Sequence, residues 1–104
     1  MVRRIIAIAA VALLAACARQ PAAVHFFAEG QPQSLADWHV VDVRDGKLAP
    51  NDGVLPYDLN TPLFTDYAHK LRTIWMPKGH PARYRADEEF DFPVGTILSK
   101  TFYY

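Results

Sequence analysis

Asp66, His69, Lys70 and Arg72 form the densest polar cluster of the chain. An aspartate can accept a hydrogen bond, while a lysine and an arginine together can grip a carboxylate or a phosphate. Arginine offers a planar fork that matches such groups. The same four residues also suit a second role, an ion-pair cluster that fixes the loop ahead of a strand. Other candidates are weaker. His69 and His80, with Met76 between them, carry ligand atoms for a metal. Their spacing matches no metal motif, and isolated histidines such as His25 and His39 are commonly surface or hydrogen-bonded core residues, so no metal site is assigned. Ser34 and Ser99 have no histidine near them in sequence. Gly95-Thr96 lacks the glycine spacing and the lysine of a phosphate loop. Asp58 and Asp66 can pair in a cleft, but turn and capping roles are commoner for aspartate. Three adjacent side chains, Asp87-Glu88-Glu89, cannot converge on one ion. No catalytic residue is assigned; the sequence leaves open whether the chain is an enzyme and leans against it, with a hydrolase or oxidoreductase built on the polar cluster ranked last.

The elements that must hold this cluster are mainly strands. Ser34 can cap a short helix over 35–38, with Asp37 in its first turn. Val40, Val41 and Val43 favour an extended path. Asp45-Gly46 and Asn51-Asp52-Gly53 are turn signals. Pro62 forbids a helix through the central segment. Leu71 to Met76 suits a strand that Pro77 ends, and Lys78-Gly79 reads as the turn after it. Ala82 to Arg85 is a candidate edge strand. Phe90-Asp91-Phe92 alternates, Pro93-Val94-Gly95 turns the chain, and residues 96–104 are rich in β-branched and aromatic types. Alternation puts Ile97, Ser99, Thr101 and Tyr103 on one face and Leu98, Lys100, Phe102 and Tyr104 on the other. Neither set is purely polar, which predicts cover on both faces. The expected class is mainly β: a small β-sandwich-like or α+β domain with one short helix and long loops. A strand ending at Tyr104 without a turn or polar cap leads us to expect a chain that is incomplete at its C-terminus.

The single cysteine, Cys17, ends an apolar run that follows Arg3-Arg4. Charged residues, a short apolar stretch and small alanines ahead of a processing site make an export signal. The run falls short of the roughly 20 residues that span a bilayer. Leu14-Ala15-Ala16-Cys17 resembles the lipobox of bacterial lipoproteins, which implies that residues 1–16 are removed and that Cys17 is lipidated. Ala18 in place of aspartate resembles the pattern sorted to the outer membrane. The expected location is therefore the cell envelope, with the protein held to the outer membrane by its lipid and facing the periplasm or the surface. Residues 17–33, with Pro21, Gly30 and Pro32, read as lipidated cysteine and tether. Within them, His25-Phe26-Phe27 is an apolar patch able to pack back on a domain spanning 34–104.

Composition narrows the partners. Eleven basic and eleven acidic side chains cancel over 104 residues. Loss of Arg3 and Arg4 with the signal leaves 9 against 11, a balance that speaks against nucleic acid. Removing 16 residues from 104 leaves 88, enough for one modest core. One thiol excludes an intrachain disulfide. The many rings, Trp38, Tyr57, Phe64, Tyr67 and Trp75 among them, suit either the core of a small β domain or a platform on which sugar faces stack.

Two stretches carry a family resemblance. Residues 56–72, Pro-Tyr-Asp-Leu-Asn-Thr-Pro-Leu-Phe-Thr-Asp-Tyr-Ala-His-Lys-Leu-Arg, form the first. Residues 90–102, Phe-Asp-Phe-Pro-Val-Gly-Thr-Ile-Leu-Ser-Lys-Thr-Phe, form the second. Together they resemble the N-terminal region of a family of exported bacterial di-haem c-type cytochromes, over about residues 33–104. The resemblance implies an accessory region of a lipid-anchored electron-transfer protein, with a redox partner and with haem c in a missing C-terminal part. It also adds a haem propionate to the groups that Lys70 and Arg72 can grip. Covalent haem needs C-x-x-C-H. With one cysteine, this chain offers no position for it, so no cofactor is expected on the chain itself. The alternative function is a lipoprotein module that binds a glycan or an envelope partner. Lipidation has a direct check. Cells fed an alkyne-labelled fatty acid should label the wild-type chain, and Cys17→Ser should abolish the label and release the protein from the membrane fraction.

Overall fold

The computed structural model describes residues 20–104, so the expected signal segment and Cys17 lie outside the described residues. The class is mainly β, with five strands in two antiparallel sheets among the described residues. Helical content among the described residues is one 3-10 turn, Leu35–Trp38. The Ser34 hydroxyl caps it by accepting from the Ala36 N–H at 3.2 Å, and His39 closes it in the left-handed region at φ 52°.

Strands β1 (Val41–Arg44) and β2 (Lys47–Pro50) form a hairpin. Asp45 and Gly46 make its two-residue loop with φ of 53° and 73°. Two successive positive φ values define the turn that matches strand twist, and Asp-Gly is a preferred sequence for it. The turn pairs Arg44 with Lys47 and so recruits Lys-Leu-Ala-Pro, a poor strand former, into β2.

The second sheet runs β3 (Leu55–Tyr57), β4 (His69–Trp75), β5 (Ile97–Tyr103), with β4 in the middle. Pro56 is tolerated because β3 is an edge strand. Pro77 follows the end of β4 as expected. Gly95, at φ 92°, lies where an added Cβ would stand 3.1 Å from the Pro77 ring, so any other residue would be strained and crowded at this turn into β5. The expected edge strand at 82–85 shrinks to a single bridge, with Arg83 and Asp91 exchanging backbone hydrogen bonds at 2.8 and 3.0 Å. The rings of Tyr84, Phe90 and Phe92 cluster beside that bridge instead of extending it.

The register separates two faces. Pairs such as Thr73–Ser99 and Leu71–Thr101 share one face, and Arg72–Lys100 and Ile74–Leu98 share the other. The first face is covered: Thr73 is fully buried, and its hydroxyl meets that of Ser99 at 2.5 Å. The second face is not. Leu98 is 61% and Phe102 50% exposed, which corrects the expectation of cover on both sides of β5. Single-sided cover follows from the elements present, because the 3-10 turn and the hairpin lie on the Trp75 side, where Gly53 approaches the Trp75 indole.

Val40 and Val54 are the buried hydrophobic side chains among the described residues. Both are tied to Asn51, whose N–H donates to the Val40 carbonyl and whose carbonyl accepts from the Val54 N–H, each at 3.0 Å. The buried Asn51 carboxamide donates to the carbonyls of Ala22 and His39, each at 2.7 Å. The segment read as a tether thus touches the domain. His25 donates its N–H to the Trp38 carbonyl, and Phe26 and Phe27 meet the Trp38 ring edge-on. Asn51→Ala should cost about 1–2 kcal/mol, because the buried carboxamide and the two hydrogen bonds it donates are lost. A fall in the urea midpoint without change in its slope checks this.

Candidate functional site

β4 carries the sequence-predicted cluster and splits it. His69, Leu71, Thr73 and Trp75 take the covered face, and Lys70, Arg72 and Ile74 take the open one. His69 stacks on its cross-strand partner Tyr103, with ring centroids 5.2 Å apart. Asp66 sits in the loop before β4 at φ 39° and makes no ion pair among those described. The ion pairs among the described residues are Arg44–Asp42 and Arg85–Glu88, so the cluster is not a set of internal ion pairs.

Lys70 and Arg72 do converge, because residues two apart on a strand point the same way. The register adds Lys100, directly opposite Arg72. Sequence reading missed Lys100, since its closeness to Arg72 depends on a pairing across 27 intervening positions that no local pattern encodes. Arg72 is only 7% exposed and has no carboxylate within 4.0 Å among the described residues. The Lys70 ammonium donates to the Leu63 carbonyl. Lys100 turns its ammonium over the Phe102 ring, 4.8 Å from the centroid, a cation–π contact.

An open groove of about 670 Å³ begins at this positive stripe. His69, Lys70 and Arg72 of β4 line it together with Asp58, Leu63, Phe64 and Tyr67 of the preceding loop. Asp58 lines it and Asp66 does not, so the two aspartates form no carboxylate pair in this cleft. Phe64 and Tyr67 meet edge-on at 5.1 Å and are largely exposed. Beside them the Thr65 hydroxyl is buried without a partner. This arrangement can hold an anionic group against apolar rims. No group of three metal-ligating side chains forms among the described residues.

The comparisons add no relative. No family model matches the chain, and neither curated proteins nor solved structures show a significant match to it.

Electrostatics gives the site a titration signature. Partial desolvation, then the charges of Arg72 and Lys100, push the Lys70 pKa below the ordinary lysine value. The charged form is thus less favoured in the folded state than in the unfolded one. Stability should rise with pH through the alkaline window between the two pKa values, where the unfolded chain holds more protons. Arg72→Gln should move the Lys70 pKa back up, as read by NMR titration of the side-chain ammonium.

Proposed function

We propose that this chain is the docking region of a lipid-anchored electron-transfer protein of the c-type cytochrome kind, carried in the cell envelope. The observation that carries the reading is the open face of β3–β4–β5. Leu55, Tyr57, Leu98 and Phe102 stand exposed around Lys70 and Lys100, with Arg72 buried between them. An apolar surface enclosing cations without counter-ions suits a partner that presents carboxylates. The resemblance of residues 56–72 and 90–102 to the pre-haem region of di-haem cytochromes names the class of partner.

The chain's own residues do not fit covalent haem. Attachment needs two thiols, and the sequence holds Cys17 alone, followed by Ala18 and Arg19. The role left to this region is to pack on a redox module or to receive one. The exposed rings of Phe64 and Tyr67 at the groove rim favour a second reading, a module that binds a glycan or another envelope component.

Haem staining separates the readings. An antibody against this chain should detect, in outer-membrane fractions, a polypeptide that stains for covalent haem or co-purifies with one that does. Immunoreactive protein free of haem stain, with no haem-staining companion after mild cross-linking, would overturn the redox reading.

A further inference from the structure

β5 is an edge strand, bonded to β4 on one side and to no strand on the other among the described residues. Alternate residues of an antiparallel strand turn their N–H and C=O groups to each side, so the free edge presents a row of unpaired donors and acceptors. A groove of about 660 Å³ runs along it, touching the consecutive residues Ile97 to Thr101. Neighbouring strand residues point to opposite faces. A groove that meets all of them therefore follows the backbone edge itself. Its far wall is apolar, with Leu35 and Trp38 from the 3-10 turn and Val40 and Leu48 from the hairpin region. The space has the form of a slot for one extended segment.

Edges are commonly blunted by proline or by inward-pointing charge. β5 contains no proline, and its one charge, Lys100, projects from the open face. Charge then selects the occupant. Lys100 stands with Lys70 and Arg72, and no carboxylate lies within 4.0 Å of any of the three among the described residues. A second copy of this chain pairing through β5 would bring the same three cations to the same face. An acidic segment would set a carboxylate beside Lys100, the cation nearest the edge.

We propose that the free edge of β5 accepts an extended acidic segment of a partner protein as an added antiparallel strand. A carboxylate side chain stands opposite Lys100, and apolar side chains on the other face enter the groove against Trp38 and Leu48. Backbone hydrogen bonds supply affinity, and alternate side chains supply specificity. The inference rests on the edge, the groove and the charges, and holds whether or not the partner carries haem.

The test uses the full chain in detergent micelles and two dye-labelled peptides, Thr-Val-Ile-Glu-Val-Leu-Thr and its twin with lysine at the centre. The glutamate peptide should bind about tenfold tighter by fluorescence anisotropy. That preference should narrow between about 50 and about 500 mM salt as charges are screened. Binding should slow amide exchange in β5. Lys100→Gln should erase the preference and Lys100→Glu should reverse it, and both replace an exposed side chain. Equal affinity for the two peptides, no binding of either, or protection confined to other strands would overturn the proposal. So would β5 protection that grows with chain concentration in the absence of peptide, which assigns the edge to a second copy.

Discussion

The carboxamide of Asn51 is the constraint on which the rest of this small fold depends. Its nitrogen donates to carbonyls 29 and 12 residues earlier in the chain, and its oxygen accepts from the Asp52 N–H at 2.8 Å. The backbone of the same residue bonds to Val40 and Val54, the two buried hydrophobic side chains among the described residues. A core this small supplies little hydrophobic stabilisation. Polar pairing has to locate the pieces, and a buried amide does so sharply, because each unmade bond leaves a desolvated group behind.

The effects of that pin reach the functional surfaces. Holding Ala22 keeps Phe26 and Phe27 near Trp38, and Trp38 in turn walls the groove beside β5. Strand alternation does the remaining work. One parity of β4 and β5 is spent on the covered face, where Thr73 meets Ser99, and the other parity brings Lys70 and Lys100 beside a buried Arg72. A single sheet thereby separates what holds the domain together from what faces a partner.

Local chemistry was readable in the amino-acid string and pairing was not. Ser34 as a cap, Asp45-Gly46 as a hairpin turn, Pro77 as a strand stop and the β character of residues 97–103 each follow from a few adjacent residues. β2 and β3 have no such signature. Lys47–Pro50 and Leu55–Tyr57 are strands because their neighbours offer hydrogen bonds in register, and Pro56 even argues against one. The polar cluster shows the same limit. Lys70 and Arg72 share a face by simple alternation, while Lys100 joins them only through long-range register and His69 leaves them by parity. Asn51 reads locally as a turn residue, since nothing near it announces carbonyl partners so far away.

The loop ahead of β4 holds two successive non-glycine residues in the left-handed region, Asp66 at φ 39° and Tyr67 at φ 63°. Such conformations cost of order 1 kcal/mol or more each and persist only where neighbours enforce them. Here the enforcing contacts are few: the Ala68 N–H to the Thr65 carbonyl and the Lys70 ammonium to the Leu63 carbonyl. The loop's unusual backbone and the Lys70 side chain are therefore held by the same contacts, so the strained turn and the placement of one cation are fixed together.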